Sequence, residues 1–342
     1  MIDRHLSITH PKTWLVTGAA GFIGSSLCLE LLARGQVVVG LDNFATGLRE
    51  NIEDIEISAR ESAGKFTFFE SDIRDFEACQ SACVGVDYVL HQAALGSVPR
   101  SIAHPLASHD VNVNGFVNVL HAAVLANVKR FVYASSSSVY GDHLTLPKIE
   151  SVVGALLSPY AATKAINETY ADVFQRTYGI ECIGLRYFNV FGPRQDPNGS
   201  YAAVIPRWVA AAIGGRPIEI FGDGSTSRDF CYIENVLQAN IRAATSSSTG
   251  GGAKVYNIAV GEQTSLVKLA ELIIEQTRFL THSHGNAKDS PITFCAFRKG
   301  DVLHSLADIG NAARDLGYAP SCRINEGLVK TIQWHLKNSV LA

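Results

Sequence analysis

Up to about residue 189, short runs of apolar and β-branched residues alternate with longer stretches in which apolar side chains recur every three or four positions. The short runs predict β-strands and the longer stretches predict amphipathic helices. Several strand runs, such as Val37-Val38-Val39, are apolar throughout, which is typical of strands covered by helices on both faces. The predicted strands cover residues 13–18, 36–42, 65–72, 87–93, 129–136 and 181–189, and the predicted helices include residues 22–34, 111–126 and 160–178. The alternation therefore predicts an α/β fold with a parallel sheet and crossover helices.

After residue 189 the regular alternation ends. Residues 192–199 are rich in Pro, Gly and Asn, and two short strands, residues 218–221 and 255–260, are predicted among helices. This composition indicates a smaller α/β region rather than a second complete sheet. We therefore expect residues 1–189 to form the first domain, with segments near 230–260 returning to it, and residues 190–342 to form mainly the second region.

Composition and charge argue against several classes of protein. The formal net charge is −3, so the chain lacks the basic surplus of a nucleic-acid-binding protein. No run of about 18 apolar residues predicts a membrane span, and the chain's first residues lack the apolar core of a signal peptide. We expect a cytoplasmic protein that binds neither nucleic acid nor a membrane.

The spacing of cysteines and histidines does not indicate a metal site. The seven cysteines form no C-x-x-C pair, which indicates reduced and mostly buried thiols. His282 and His284 flank one serine, but no Cys or carboxylate stands at ligand spacing from them. We therefore expect no bound metal.

Three glycines, Gly18, Gly21 and Gly24, punctuate the turn between the first predicted strand and the first predicted helix. Such a turn brings backbone N–H groups and the positive end of a helix against a pyrophosphate, although a tight turn without a ligand has the same pattern. The second strand ends at Asp42, a carboxylate that can accept hydrogen bonds from ribose hydroxyls. Because this carboxylate would repel a 2′-phosphate, and no basic residue follows before Arg49, the sequence favours NAD over NADP.

Of the eleven tyrosines, only Tyr160 is followed four positions later by a lysine, Lys164. Residues four apart share a helix face, so the ammonium can lie beside the phenol. We expect this neighbour and an oxidised nicotinamide to lower the pKa of Tyr160 from its ordinary value of about 10 and make it a proton acceptor. An isolated pair of this spacing is more often a surface contact. The serine run at residues 135–138, directly after a predicted strand, favours the catalytic interpretation because its hydroxyls can bond the reacting oxygen.

Together, the G-x-x-G-x-x-G turn, the Tyr-x-x-x-Lys pair and the serine run resemble the extended short-chain dehydrogenase/reductase family. The resemblance implies a Rossmann-type doubly wound sheet, bound NAD, and catalysis by Tyr160, Lys164 and Ser136, with the adjacent Ser137 as a second candidate for the hydroxyl. It implies contacts with the cofactor from Gly18, Gly21, Phe22, Ile23, Gly24, Asp42, Asn43, Asp72, Ile73, Ala93, Ala94, Asn112, Tyr160, Lys164 and Tyr187.

Nearly the entire chain resembles bacterial UDP-hexose 4-epimerases, most closely the UDP-N-acetylglucosamine 4-epimerases, through residues 91–100, 185–192 and 225–233. This resemblance implies a nucleotide-sugar site in the second region and a homodimer joined through helices 111–126 and 160–178. In that site, Phe221 would border the uracil, and Arg228 and Arg298 would hold the diphosphate. The implied substrate residues are Gly96, Ser97, Ser137, Asn189, Ala203, Val204, Phe221, Arg228, Arg298, Asp301 and Ser305.

The residues directly after the predicted strand at 129–136 indicate the reaction. Related dehydratases and decarboxylases carry acidic residues where this chain has Ser137-Ser138, so we expect reversible 4-epimerisation through a transient 4-keto sugar and tightly bound NAD. Galactose-restricted epimerases carry Tyr where this chain has Ser305, so we expect room for a 2-acetamido group. The predicted reaction interconverts UDP-N-acetylglucosamine and UDP-N-acetylgalactosamine. A UDP-N-acetylglucosaminuronic acid 4-epimerase, or another NAD-dependent nucleotide-sugar reductase of the same family, stays open.

Overall fold

The computed structural model describes residues 10–198, 202–247, 254–282, 289–296 and 303–339. Seven of the strands within these residues form one parallel sheet in the order β3-β2-β1-β4-β5-β6-β11. This order confirms the predicted doubly wound α/β fold. The strands are β1 Thr13–Thr17, β2 Val37–Asp42, β3 Lys65–Glu70, β4 Tyr88–His91, β5 Arg130–Ser136, β6 Glu181–Tyr187, β7 Val190–Phe191, β8 Ile218–Phe221, β9 Ser227–Arg228, β10 Cys231–Tyr232, β11 Lys254–Ile258, β12 Thr264–Ser265 and β13 Ile292–Cys295.

Helices cover both faces of this sheet. Along β1, the fully buried Trp14 and Val16 pack in one apolar cluster, whereas Leu15 packs in a second cluster on the opposite face. This burial on both sides explains the continuous apolar runs of the strands. The helices are α1 Phe22–Ala33, α2 Arg49–Glu61, α3 Phe76–Cys83, α4 Val98–Ala103, α5 Pro105–His109, α6 Phe116–Leu125, α7 Pro159–Tyr178, α8 Val204–Gly214, α9 Ile233–Thr245, α10 Leu266–His282, α11 Gly310–Leu316 and α12 Ile324–Ser339.

The predicted helix at residues 111–126 differs from the observed one. A π-helical turn, Asp110–Gly115, precedes α6, which begins at Phe116. The turn packs closely on the segment that leaves β3, since a Cβ at Gly115 would lie 2.5 Å from Cδ1 of Ile73. Such turns insert a residue into a helix and re-aim the side chains around it.

The smaller region is built from α8, α10 and α12 with three two-stranded pairs, β7 with β10, β8 with β13, and β9 with β12. β11 instead joins the main sheet beside β6. The domain division at residue 189 stays a prediction. No helix in the described ranges is long and apolar enough to cross a membrane.

Candidate active site

A cleft of about 320 Å³ lies at the carboxyl ends of β1 to β4. Its walls contain most of the residues predicted to bind the cofactor, namely Gly18, Gly21, Phe22, Ile23, Gly24, Asp42, Asn43, Asp72, Ile73, Ala93 and Ala94. Gly96, predicted for the substrate, lines the same cleft, where a Cβ would meet no atom within 4 Å. Seven further residues line the cleft and were not predicted from the sequence: Leu41, Ala45, Thr46, Ser71, Gln92, Leu95 and Val111.

The glycine turn fits a pyrophosphate. Gly18 has a φ of +70°, and a Cβ on it would lie 2.8 Å from the backbone nitrogen of Ala93. A Cβ on Gly24 would lie 1.9 Å from the carbonyl oxygen of Gly18. The first residues of α1 line the cleft, so the positive end of the helix faces it. Because Gly21 has no side chain to cap the helix, the first backbone N–H groups of α1 are left available to a ligand.

The carboxylate of Asp42 lies at the end of β2 and accepts backbone N–H bonds from Ala20 at 3.0 Å and Phe44 at 2.7 Å. Burial raises the pKa of this carboxyl group. The next basic residue, Arg49, binds both oxygens of Glu70 at 2.7 and 3.2 Å and stacks on the Phe44 ring. Arg49 is therefore engaged by protein groups, and the wall around Asp42 suits a free ribose hydroxyl better than a phosphate.

Asn43 and Asp72 form a second polar contact across the cleft, since Asn43 Nδ2 donates to Asp72 Oδ2 at 2.7 Å. The guanidinium of Arg74 holds the pKa of Asp72 below its usual value. The cleft therefore keeps a second carboxylate charged beside Ile73.

Tyr160, Lys164 and Ser136 meet where β5 ends against the start of α7. Ser158 caps this helix by accepting from Ala161 N at 3.1 Å, which fixes Tyr160 in its first turn. Lys164 Nζ donates to the carbonyl oxygen of Ala134 at 2.8 Å and lies 5.9 Å from the centre of the Tyr160 ring. The Ser136 hydroxyl accepts from Ser138 N at 3.1 Å and lies close enough to the Tyr160 phenol to favour its ionised form. Ser137 lies in the 3₁₀ turn after β5, with no described hydrogen bond from its side chain.

Burial changes the charge balance of this group. Burial raises the pKa of Tyr160, and the nearby Ser136 hydroxyl only partly opposes this rise. The expected lowering of this pKa is therefore not seen in the protein alone, because Lys164 is directed to Ala134 and desolvation disfavours the phenolate. Burial lowers the pKa of Lys164 to about 8, while the negative charge of Glu168 opposes this change.

Asn112 in the π-helical turn connects this group to the first cleft. Its Oδ1 accepts from Leu95 N at 2.7 Å, and its Nδ2 donates to Leu95 O and Thr163 Oγ1, both at 3.2 Å. The Thr163 hydroxyl in turn donates to Tyr160 O at 2.8 Å. Asn112 is buried and does not line the cleft, so this geometry suits a residue that positions the loop and α7.

Tyr187 also lies behind the cleft wall. Its hydroxyl donates to Gln92 Oε1 at 3.1 Å and accepts from Asn240 Nδ2 at 2.8 Å. Because Gln92 lines the cleft, Tyr187 is connected to the predicted cofactor site through that side chain.

A second cleft, of about 180 Å³, lies in the smaller region. Four residues predicted for the substrate line it: Asn189, Val204, Phe221 and Arg228. Ala203 is exposed just before α8. The other lining residues, which the sequence analysis missed, are Ala202, Arg207, Trp208, Glu219, Thr226, Phe230, Leu266 and Leu303.

Ser305 joins this second cleft through Asn189. Its hydroxyl accepts from Asn189 Nδ2 at 3.2 Å and from Asp229 N at 3.4 Å. Ser97 instead caps α4 by accepting from Arg100 N at 3.2 Å. The predicted substrate residues Arg298 and Asp301 lie outside the described residues, as does His284. No cluster of three metal-ligating side chains occurs in the described part of the chain.

A model of the NAD dependent epimerase/dehydratase family matches residues 14–259. The chain belongs to this family. Its cofactor is NAD. Membership agrees with the resemblance to extended short-chain dehydrogenases/reductases, while the N-acetylglucosamine subtype stays a prediction.

Relatives of this family member match over nearly all of its length. It is 37% identical to the UDP-glucose 4-epimerase of Mycolicibacterium smegmatis, over 95% of this chain and 99% of that protein. The solved UDP-N-acetylglucosamine 4-epimerase of Methanobrevibacter ruminantium, in complex with UDP-N-acetylmuramic acid, is 35% identical with a TM-score of 0.85, covering 96% of this chain and 99% of that one. The UDP-glucuronic acid 4-epimerase of Bacillus cereus, in complex with UDP-glucuronic acid and NAD, is 29% identical with a TM-score of 0.82, covering 95% and 99%.

Proposed function

We propose that this protein, an NAD-dependent UDP-sugar 4-epimerase, interconverts UDP-N-acetylglucosamine and UDP-N-acetylgalactosamine. The observation that carries this substrate is the small side chain of Ser305, bonded to Asn189 at the second cleft. Gly96, on the wall of the first cleft, adds open space because it has no side chain. Small residues at these positions favour a sugar with a bulky 2-acetamido group.

Tyr160, in the first turn of α7 beside the end of β5, performs the proton transfers. When bound, NAD supplies the reversible two-electron oxidation of carbon 4. Tyr160 Oη takes the proton of the 4-hydroxyl group as carbon 4 is oxidised. After the 4-keto sugar has turned and carbon 4 has been reduced on its other face, Tyr160 returns the proton to the same oxygen. The Ser136 hydroxyl favours the ionised phenol, and Lys164 supplies a positive charge close to the ring. A protein with this group needs no further acid or base for epimerisation.

The 3₁₀ turn after β5 disfavours the other reactions of the family. Ser137 and Ser138 occupy the positions at which related dehydratases and decarboxylases carry acidic residues. Elimination across carbons 5 and 6 requires such an acid and base. We therefore propose epimerisation rather than elimination or decarboxylation.

We also propose a homodimer joined through α6 and α7. These helices expose large apolar side chains at Leu125, Tyr170, Val173 and Tyr178. An apolar surface of this kind on two neighbouring helices supports a four-helix contact between two copies of the chain.

The proposed reaction is tested by incubating the purified protein with UDP-N-acetylglucosamine and no added cofactor, and following the anomeric protons by NMR. We expect UDP-N-acetylgalactosamine to appear, because an epimerase regenerates its bound NAD in each cycle. Parallel samples contain UDP-glucose, UDP-glucuronic acid and UDP-N-acetylglucosaminuronic acid. Turnover of one of these in preference to UDP-N-acetylglucosamine would contradict the proposed substrate, and a 4-keto product would contradict the reaction.

The catalytic group is tested with Tyr160→Phe. Removal of the proton acceptor should lower kcat by about 100-fold or more while leaving the fold intact. Tyr88→Phe is a matched control, since Tyr88 begins β4 at the edge of the sheet opposite the cleft. Activity of Tyr160→Phe near that of the wild type would exclude Tyr160 as the base.

A further inference from the structure

One face of α7 presents three functional groups at a spacing of four residues, Tyr160, Lys164 and Glu168. Each of them acts on one of the last three residues of β5. Tyr160 lies beside the Ser136 hydroxyl, Lys164 Nζ donates to the carbonyl oxygen of Ala134 at 2.8 Å, and Glu168 Oε1 accepts from Ser135 Oγ at 2.5 Å. The contact between Glu168 and Ser135 has no part in the chemistry described so far, but it continues the same row of contacts between α7 and β5.

Arg186 on β6 fixes Glu168 from the other side. Its Nε and Nη2 donate to the two carboxylate oxygens of Glu168 at 2.9 and 2.8 Å. Its Nη1 donates to the carbonyl oxygen of Glu150 at 3.0 Å. The side chains of this ion pair are only 5% and 14% exposed, so water screens its charges weakly. Glu168 is therefore held in one position relative to β5, β6 and Lys164.

Titratable groups surround Lys164 on the elements packed against it, but most of them are neutral. His91 faces it from β4 and Tyr133 lies on β5, and burial keeps both neutral, since it lowers the pKa of His91 to about 3 and raises that of Tyr133. Tyr160 on the same helix is neutral for the same reason. Glu168 supplies the negative charge that acts on Lys164 and opposes the effect of burial on the ammonium.

We propose that Glu168 is a positioning residue for the catalytic pair, which holds α7 against β5 through Ser135 and Arg186 and balances the positive charge of Lys164. The role of Glu168 in turnover rests on the proposed function, because it acts through Tyr160 and Lys164. The proposal contains two effects of Glu168: it holds the helix in place, and it favours the protonated form of Lys164. A carboxylate one helical turn from the lysine provides both, whereas an amide would keep only part of the first.

The first test compares Glu168→Gln with the wild type in the pH dependence of kcat. Loss of the carboxylate should move the alkaline limit of activity to lower pH, because Lys164 then loses its proton more easily. We expect a loss of about 10-fold near pH 8 and a smaller loss near pH 6.5. Glu181→Gln is the matched control. Glu181 pairs with Arg130 where β5 and β6 begin, at the end of these strands away from Lys164, so its replacement should leave the pH profile unchanged.

The second test measures the pKa of Lys164 directly, by NMR of protein labelled with ¹³C at the lysine ε-carbon and assigned with Lys164→Arg. The pKa should lie near 8 in the wild type and lower in Glu168→Gln. Equal values in the two proteins would overturn the charge-balancing role. This measurement needs no substrate. If the pKa of Lys164 differs between the two proteins but the wild type turns over no UDP-sugar, the proposed function is overturned while the action of Glu168 on Lys164 is supported.

Two further variants keep the proposal testable if Glu168→Gln does not fold. Glu168→Asp retains the charge but shortens the side chain, and Ser135→Ala removes only the bond to β5. Both should keep the alkaline limit and lower kcat several-fold. Wild-type kcat in both variants would overturn the placement of α7 by Glu168.

Discussion

At the scale of single residues, burial determines the charge of each side chain proposed to be catalytic. Desolvation raises the pKa of Tyr160 and lowers that of Lys164 to about 8. Without cofactor, the protein therefore has a neutral phenol beside an ammonium group that loses its proton more easily than usual. A phenolate therefore requires a further positive charge, and an oxidised nicotinamide carries one. We therefore expect Tyr160 to act as a base only when the oxidised cofactor is bound.

Ser305 is the residue at which substrate size should be decided. Replacing it with Tyr fills the space beside Asn189, and overpacking of this kind costs about 1–3 kcal/mol. We expect Ser305→Tyr to lower kcat/KM for UDP-N-acetylglucosamine by about 10- to 100-fold while UDP-galactose is still converted. Ser305→Ala is the control, since it loses the hydroxyl but keeps the small volume. Equal losses for both sugars in Ser305→Tyr would contradict the steric explanation.

At the scale of elements, the site is built from the ends of regular structure. The predicted strands at residues 65–72, 87–93 and 181–189 stop two residues early, at Glu70, His91 and Tyr187. The chain leaves the sheet there because the next residues line the first cleft or turn toward the second. The apolar pattern predicts a strand that continues until polar residues begin. In the structure, the strand ends where its neighbouring strand no longer runs alongside it.

The π-helical turn at Asp110–Gly115 is the element whose loss should affect the site most. Replacing Asn112 with Ala leaves Leu95 N without its partner, and a buried unpaired group costs about 1–3 kcal/mol. We expect Asn112→Ala to lower the free energy of unfolding by that amount and to reduce kcat, because the loop and α7 lose their link. Asn114→Ala, which removes an exposed contact with Asp110 in the same turn, should change stability by less than about 0.5 kcal/mol. Similar effects of the two variants would argue against a positioning role for Asn112.

The sequence predicted the sheet and the first cleft more completely than the second. Gly18, Asp42 and Tyr160 belong to motifs in which spacing along one strand or helix reports the chemistry directly. Arg207 and Glu219 line the second cleft from α8 and β8, and their approach depends on packing between elements far apart in sequence. Glu168 was also missed, although its position four residues after Lys164 is a feature that helix spacing could have revealed.

At the scale of the whole molecule, the segment that carries Ser305 connects the main sheet to the second cleft. Lys148, which lies beyond the 3₁₀ turn, binds Leu306 O through its backbone N–H at 2.7 Å. The buried carboxylate of Asp229 accepts backbone bonds from Val260, Gly261 and Ala307 at 2.9–3.2 Å. Residues after β5, after β11 and around Ser305 are thus held together by these hydrogen bonds.

His91, at the centre of the sheet, should make the whole fold sensitive to acid. Its ring packs between Phe116 and Phe131 and bonds Thr17, and burial together with the charge of Lys164 lowers its pKa from 6.5 to about 3. Between these two pKa values, His91 is protonated in the unfolded chain but neutral in the folded chain. The stability present above pH 6.5 is therefore lost as the pH falls toward 3. Between pH 7 and pH 4 this loss amounts to about 3 kcal/mol.

The measurement compares the free energy of unfolding by urea from pH 7 to pH 4 in the wild type, His91→Gln and His109→Gln. His91→Gln removes the titrating group, so its stability should fall less steeply with acid than that of the wild type, even where the lost packing makes it less stable at pH 7. His109 is exposed on α5, and its replacement should leave the wild-type slope unchanged. Parallel curves for the wild type and His91→Gln would mean that this histidine accepts its proton in the folded state, which its burial between two phenylalanine rings should prevent.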